Sequence, residues 1–186
     1  MKYFHLRHSS DNSGFTLVEV LVVAAIIGFL SSSLILNFSR TRLDIDQSAN
    51  LVMATIREAQ SKAVSSTIYN GYNPCGYGVH YVSATQIEIY VGPDATTDNP
   101  GCTAMDKHYD SNRDSILIIQ TLNDPKVSIS SFKDIFFLPP DPKTYLDNNA
   151  SLSGSPITIQ VGPTNGACSG NCRTISVYPS GKIESQ

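Results

Sequence analysis

The sequence predicts an α+β protein in which one long N-terminal helix packs on an antiparallel β-sheet domain. Three observations support this class. Residues 15–38 form an almost wholly apolar run, an apolar stripe at helical spacing continues to about Ser66, and short β-rich runs separated by turn residues begin at Tyr69. The chain has 186 residues, and the part that follows the apolar run, roughly 150 residues, is the length of one domain.

The apolar run divides the chain into a leader, an anchor and an outer domain. Glu19 is its only ionisable side chain. A helix over residues 15–38 would be roughly 36 Å long, enough to cross a hydrocarbon core of ~30 Å. The polar leader contains Lys2 and Arg7, which favour a cytoplasmic N-terminus.

Composition and length leave two ordinary interpretations of this run. It can be a secretory signal peptide, with Ser31 to Ser33 as a small-residue cleavage site, or a plain signal anchor. Neither explains Glu19, because a carboxylate within a membrane helix costs about 2.5–3.5 kcal/mol on insertion scales and therefore indicates a function.

The junction that precedes the run suggests a third interpretation. The residues Gly14-Phe15-Thr16-Leu17-Val18-Glu19 resemble the class III signal of type IV pilins and the related pseudopilins. The resemblance implies that a prepilin peptidase cleaves between Gly14 and Phe15 and that the new N-terminus of Phe15 is methylated. It also implies that Glu19 pairs with a neighbouring subunit and sets the axial register of a filament.

Physical chemistry also gives Glu19 a role. Cleavage after Gly14 leaves a cationic amine on Phe15, one helical turn from the carboxylate of Glu19. In a low dielectric such a pair is much stronger than in water. The alternative is that Glu19 only reaches the headgroup region because it lies near the helix end.

The resemblance implies a pilin-like fold with four segments. They are a cleaved leader at residues 1–14, a transmembrane and assembly helix at 15–38, an amphipathic continuation of that helix at 39–68, and a β-rich globular head domain at 69–186.

The amphipathic continuation is predicted by apolar residues that recur at steps of three and four. No proline occurs before Pro74, so one helix from Phe15 to about Ser66 is expected, and its second half should pack on the head domain. The stripe consists of Ile45, Ala49, Val52, Ile56, Ala59 and Ala63.

Seven strands are expected in the head domain. Residues 116–119 are uniformly apolar, which is typical of a central strand covered on both faces. The predicted strands are Tyr77–Val82, Gln86–Val91, Ser115–Leu122, Val127–Phe132, Ile135–Leu138, Ile157–Val161 and Thr174–Tyr178.

Two longer connections are predicted as loops. Residues 92–113 contain Asp94, Asp98, Asp106 and Asp110, whose oxygens would suit Ca²⁺, although their spacing does not match an EF-hand and an exposed, solvated loop is favoured. Residues 139–156 are expected to be a surface excursion between two strands.

The C-terminal third resembles the GspH/FimT-like subgroup of minor pilins and pseudopilins. The resemblance lies in a phenylalanine-rich strand at residues 134–139, two paired strands at 157–161 and 173–178, and a final turn with Gly181 before Ile183. The chain departs from the subgroup where Pro140-Asp141 replaces the usual glycine.

Four cysteines lie after the apolar run, an even number that indicates disulfides if this part is exported. Cys168 and Cys172 enclose only Ser-Gly-Asn, so a disulfide between them could clip a hairpin tip. Cys75 would then pair with Cys102. This is one of three connectivities, and a C-x3-C spacing alone is weak support for zinc.

The sequence shows no catalytic constellation, no phosphate-binding glycine motif, and no pattern that predicts a metal or cofactor. The resemblance implies a structural role, as a minor pilin or pseudopilin held in the inner membrane with its head domain outside. It also implies the partners, which are other pilins or pseudopilins, the prepilin peptidase and the inner-membrane assembly platform. Arg40 and Arg42 oppose this orientation, but the short leader and the peptidase signal favour it.

Two other functions stay open at this stage. The chain could be a pilus-tip module that binds DNA or a surface, but its net charge is −3 and its C-terminal end offers only Arg173 and Lys182. It could also be an unassembled, membrane-anchored exported protein, which the pilin peptidase would not process.

Overall fold

The computed structural model describes residues 16–96, 101–139, 143–151, 153–164, 168 and 171–186, with the backbone alone at 33–41. The described residues form one α-helix and nine β-strands. The helix α1 spans Leu17–Val64. The strands are β1 Tyr77–Ser83, β2 Gln86–Val91, β3 Ser115–Thr121, β4 Val127–Ile129, β5 Ile135–Leu138, β6 Lys143–Leu146, β7 Ile157–Pro163, β8 Arg173–Val177 and β9 Ile183–Ser185.

The chain divides into two compact units, residues 1–40 and residues 41–186; we call the second the globular unit. The C-terminal part of α1 belongs to the globular unit. Within the residues that the structure describes, no helix is both long and apolar enough to cross a membrane.

The helix ends at Val64, two residues before the backbone enters the left-handed region. Ser66 adopts a positive φ of 47°, and the N–H of Thr67 donates to the carbonyl of Lys62 at 3.1 Å. This bond reaches back five residues and satisfies one of the last carbonyls of the helix, as in a Schellman-type stop. The helix therefore stops two residues before the predicted end at Ser66.

The apolar stripe of α1 is confirmed as the face that packs on the sheets. All six predicted residues are 0–3% exposed. They form one core cluster with residues of both sheets, among them Val79, Ile89, Phe137, Ile159 and Ile175. This burial holds the helix against the head domain, because each fully buried valine or isoleucine side chain contributes roughly 1.5–3 kcal/mol.

The strands form two sheets in which every pairing is antiparallel. The five-stranded sheet has the order β3-β2-β1-β5-β6 and the four-stranded sheet the order β4-β7-β8-β9. With one helix packed on antiparallel sheets, the α+β class predicted from the sequence is confirmed.

The expectation of a central strand at residues 116–119 was wrong. β3 is the edge strand of the five-stranded sheet and pairs only with β2. Ile116 is 44% exposed and Ile119 is 52% exposed. An apolar run does not distinguish a covered strand from an edge strand whose apolar side chains remain partly in water.

The excursion predicted at residues 139–156 contains a strand. β6 pairs with β5, with Tyr145 opposite Phe136, and Thr144 and Leu146 are buried. Turn residues on both sides of this four-residue strand concealed it. The last strand, β9, was also not predicted, and β4 ends at Ile129 rather than at Phe132.

A second core lies on the face of the five-stranded sheet opposite the helix. It consists of Cys75, Tyr90, Met105, Phe136 and Leu138. Gly78 stands opposite Tyr90 in the β1–β2 pairing, and a Cβ atom at residue 78 would lie 2.2 Å from the tyrosine ring. The glycine therefore makes room for the Tyr90 ring, over which the connection from β2 to β3 folds.

Candidate functional site

The start of the helix is the region to which the sequence assigns processing and assembly. Gly14 and Phe15, the predicted cleavage pair, lie outside the described residues, so cleavage between them and methylation of Phe15 stay predictions. The structure does place Thr16 and Glu19, the second and fifth residues after the predicted cut.

Thr16 and Glu19 form a reciprocal helix cap. The carbonyl of Thr16 accepts hydrogen bonds from the N–H groups of Glu19 at 3.0 Å and Val20 at 3.3 Å, which makes Thr16 the N-cap residue. Its hydroxyl accepts a bond from the Glu19 N–H at 3.3 Å, and its own N–H donates to Glu19 Oε2 at 3.5 Å. This is the capping box of a T-x-x-E sequence.

Sequence reasoning missed the role of Thr16. The spacing of threonine and glutamate at the start of an apolar run was visible in the sequence. Glu19 was assigned to pairing with an amine or, alternatively, to reaching the headgroup region, and the partners of the first N–H groups of the helix were not considered.

Beyond the cap, the helix exposes apolar side chains on every face. Leu17 is 80% exposed and Phe29 is 75% exposed, and the consecutive residues 20–23 are each 49–63% exposed. Consecutive positions on a helix point in different directions, so no single face is protected. When lipid or other helices remove such a surface from water, the free energy falls by about 25 cal/mol per Å² of apolar area.

The head domain contains two disulfide bonds. Cys75 is joined to Cys102, with Cα atoms 5.1 Å apart, and Cys168 to Cys172, with Cα atoms 5.4 Å apart. The first attaches the β2–β3 connection to the segment that precedes β1. The second closes the β7–β8 hairpin and lies so close to Gly162 that a Cβ there would be 2.3 Å from Cys172 Sγ.

The β2–β3 connection is held to the sheet by buried and partly buried polar contacts. The Tyr90 hydroxyl donates to the Lys107 carbonyl at 2.5 Å, and the Tyr109 N–H donates to Asp134 Oδ2 at 2.8 Å. Asp134 Oδ1 is 2.7 Å from His80 Nδ1.

Lys107 Nζ donates to the carbonyls of Thr103 and Met105 and lies 4.9 Å from the centre of the Tyr145 ring.

The described aspartates of this connection that were considered for Ca²⁺ accept hydrogen bonds from neighbouring residues of the connection itself. Asp94 Oδ1 accepts bonds from Thr96, and Asp110 Oδ1 accepts bonds from Asn112. Asp106 bonds His108, and Asp98 lies outside the described residues. Among the described residues no group of three or more His, Cys, Asp or Glu side chains could hold a metal ion.

His108 lies between two carboxylates. Its Nδ1 is 2.8 Å from Asp106 Oδ1 and its Nε2 is 2.9 Å from Asp147 Oδ1. A neutral imidazole donates from one nitrogen, whereas the imidazolium donates from both. The bond to Asp147, with that to Asp106, therefore raises the pKa of His108 despite partial burial.

This geometry predicts that the bonds of His108, which lies in the β2–β3 connection, depend on pH. Because the folded-state pKa of His108 is raised, its stabilising contribution is complete below the unfolded value of about 6.5 and is lost as pH rises through the folded pKa. The same bonds with His108 lower the pKa of Asp106 and that of Asp147, so the stabilisation is also lost in acid, as pH falls through the lowered pKa values of these carboxyls.

An NMR titration of the His108 ring in the full-length chain tests this prediction. The Asp147→Asn variant should lower the pKa of His108, whereas the control Glu58→Gln, on the helix, should leave it unchanged. An unaltered His108 pKa in Asp147→Asn would show that the contact does not hold the imidazolium.

Both cations considered for DNA binding are paired with carboxylates. Arg173 Nε is 2.5 Å from Asp46 Oδ1 on α1, and Lys182 Nζ contacts Glu184 Oε1. Phosphate binding would have to compete with both pairs. The sequence did not predict the Arg173–Asp46 pair, because it joins residues 127 positions apart.

Comparison with known proteins identifies the N-terminal segment. Residues 9–35 match the family model described as the prokaryotic N-terminal methylation motif. No curated protein matches the chain. Among solved structures, the chain is similar to the type IV minor pilin FimU of Pseudomonas aeruginosa strain PAO1, with 14% sequence identity, a TM-score of 0.48, and coverage of 78% of this chain and 90% of that one. The motif that spans residues 9–35 confirms, for the signal segment, that this chain resembles the type IV pilins.

Proposed function

We propose that the protein is a minor pilin or pseudopilin, a structural subunit of a type IV pilus or of a type II secretion pseudopilus. The prepilin peptidase removes residues 1–14 and methylates Phe15. The subunit then waits in the inner membrane, N-terminus in the cytoplasm, until the assembly platform adds it to a filament of other pilins. One observation carries the proposal: the methylation motif leads directly into a helix that exposes apolar side chains on all faces.

The proposal includes a membrane-spanning role for residues 15–38. It rests on the sequence, in which the apolar run continues past residue 32 to Phe38 and so has the length needed to cross a hydrocarbon core of ~30 Å. The side chains of residues 33–38 lie outside the described part. The same helix would exchange lipid for neighbouring helices on assembly, since both remove its apolar surface from water.

The head domain suits display on a filament. Its two disulfides are of the kind that persists in oxidising compartments. Its polar contacts fold the longest connection onto the sheet. We propose that this domain lies outside the inner membrane and that the filament displays it.

Replacing Glu19 with alanine tests the proposed assembly role. We expect the variant to insert into the membrane normally but to fail to enter filaments, because it lacks the carboxylate that pairs with the Phe15 amine of a neighbouring subunit. Immunoblots of sheared filaments and of membrane fractions measure the two pools.

A control replaces a partly exposed carboxylate of the globular unit, Glu58→Ala, and should assemble normally. Normal incorporation of Glu19→Ala would contradict the assembly role of Glu19.

A further inference from the structure

A small cavity in the globular unit brings together two arginine side chains from distant parts of the sequence. Arg42 comes from α1, and Arg173 comes from the start of β8. The cavity has a volume of about 140 Å³, which is room for several water molecules or for one group of the size of a phosphate. Its lining consists of Arg42, Ile45, Asp46, Asn171, Cys172 and Arg173.

Asp46 holds Arg173 at the cavity. Arg173 Nε donates to Asp46 Oδ1 at 2.5 Å, and this bond lowers the pKa of Asp46, so the carboxylate stays ionised at neutral pH. A guanidinium has five N–H donors, and the bond to Asp46 uses one of them. It leaves the Nη groups of Arg173 to a second acceptor.

Arg42 gives the cavity a positive charge that is not balanced. The side chain is exposed, and among the described residues it forms no ion pair of its own. Two guanidinium groups therefore share the cavity with the single carboxylate of Asp46. An anion with several oxygens suits such a pair of arginines, because the planar guanidinium forms paired hydrogen bonds with phosphate.

The position of Arg42 in the sequence favours a lipid as the source of that phosphate. Arg42 follows Phe38, the last residue of the apolar run, by four residues of helix, which advance along the axis by about 6 Å. A bilayer is ~40–45 Å thick with a hydrocarbon core of ~30 Å, so each headgroup layer is roughly 5–8 Å thick. With residues 15–38 across the core, Arg42 lies at the depth of the lipid phosphates.

A lipid ligand would also explain a charge that topology disfavours. Arginines next to a membrane helix favour the cytoplasmic side, so Arg42 opposes the proposed orientation, in which the chain after the apolar run lies outside. An anion bound on the outer side gives this cation a role that the orientation alone does not.

We propose that the cavity binds the phosphate group of an anionic phospholipid in the outer leaflet of the inner membrane, with Arg42 and Arg173 as its ligands. The bound headgroup ties this part of the globular unit to the membrane surface while the subunit waits for assembly. The inference rests on the proposed function, since it requires the helix to cross the membrane and the head domain to lie outside.

The experiment titrates the full-length chain, purified in an uncharged detergent, with phosphatidylglycerol, and measures bound lipid by native mass spectrometry. Diacylglycerol with the same acyl chains is the comparison lipid, because it lacks the phosphate. We expect phosphatidylglycerol to bind about tenfold more tightly than diacylglycerol, as hydrogen bonds to a charged group require. Equal affinities for the two lipids would overturn the proposal.

Arg42→Gln is the decisive variant, because Arg42 has no ion pair with a described residue to lose and the fold should be retained. We expect it to bind phosphatidylglycerol about tenfold more weakly than the wild type and diacylglycerol equally well. Arg42→Lys retains the charge and should keep most of the affinity.

The matched control is Arg57→Gln, which removes another exposed arginine of the same helix and should bind phosphatidylglycerol like the wild type. Unchanged binding by Arg42→Gln would overturn the proposal. An equal loss in Arg57→Gln would do the same, because the lipid would then respond to overall charge and not to the cavity.

Inorganic phosphate separates the two sources of the same chemistry. The arginine Nε–H signals of the full-length chain in micelles are followed by NMR as phosphatidylglycerol or phosphate alone is added. We expect the Arg42 and Arg173 signals to move with the lipid and to stay in place with an equal concentration of phosphate. If phosphate alone moves both signals and displaces the lipid, the cavity is a site for free phosphate and the lipid proposal is overturned.

The two proposals fail in different ways. If the wild-type precursor is neither cut by the prepilin peptidase nor recovered with vesicles of phosphatidylcholine and phosphatidylglycerol, the proposed function fails, and the titration in detergent still measures phosphate binding by the cavity. If the precursor is cut and recovered with vesicles but Arg42→Gln binds phosphatidylglycerol like the wild type, only the lipid site fails.

Discussion

Replacing Ile56 with alanine lowers the free energy of unfolding of the globular unit by about 2–5 kcal/mol. Ile56 is 0% exposed and lies at the centre of the apolar stripe that joins α1 to both sheets. The change removes the transfer free energy of three carbon atoms and leaves a cavity that neighbouring strands fill only in part.

Denaturant unfolding of the full-length protein in micelles, followed by the near-ultraviolet signal of its tyrosines, measures this effect. Leu43→Ala is the matched control, because it removes the same number of carbon atoms from the same helix at a side chain that is 57% exposed. We expect the control to change stability by less than about 0.5 kcal/mol. Equal effects of the two substitutions would mean that the stripe does not anchor the helix to the sheets.

Removing the Cys75–Cys102 bond costs about 3–4 kcal/mol on the chain-entropy model. The two cysteines are 27 positions apart, so the bond restricts a long loop in the unfolded chain. In the folded chain Cys75 is also buried in the second core, beside Tyr90 and Phe136. The double variant Cys75→Ala/Cys102→Ala should unfold at a markedly lower denaturant concentration than the wild type.

The second disulfide provides the comparison. Cys168 and Cys172 are only four positions apart, so the same model gives the double variant Cys168→Ala/Cys172→Ala a smaller cost, about 2 kcal/mol. Both variants are unfolded under the same conditions as the oxidised wild type. If loss of the short-loop bond destabilised the protein more than loss of the long-loop bond, the entropy of the unfolded chain would not be the main source of the stability that these bonds provide.

The helix and its buried stripe could be predicted because their signals are local and repeated. Ile45 to Ala63 recur at helical spacing, and the structure buries all six positions. The strands β2 and β5 were predicted with their observed bounds because turn residues flank each of them. In each case the pattern lies within the element itself, so the element could be recognised without knowing what it packs against or pairs with.

The features that were missed depend on partners distant in the sequence. Whether β3 lies at the centre or the edge of its sheet is decided by pairing, which its apolar run does not record. The Arg173–Asp46 contact joins residues that are 127 positions apart in the sequence. The bond between His108 and Asp147 joins residues that are 39 positions apart. Local patterns do not report such pairs, because ordinary exposed residues of the same types carry the same signal.

At the candidate site, the signal at Gly14 to Glu19 was evident from the sequence, and the cap was not. Glu19 stood out in the sequence as a charged residue within an apolar run, so its interpretation rested on that charge. The structure adds that the same carboxylate accepts a hydrogen bond from Thr16, which gives the residue a conformational role within its own chain.

The proposal that this chain is a processed pilin subunit is tested most directly by the intact mass and N-terminal sequence of the protein isolated from membranes, with and without active prepilin peptidase. We expect a chain that begins at a methylated Phe15 only when the peptidase is active. A chain that retains Met1 in the presence of the peptidase, or one cut near Ser31 to Ser33, would contradict the proposal.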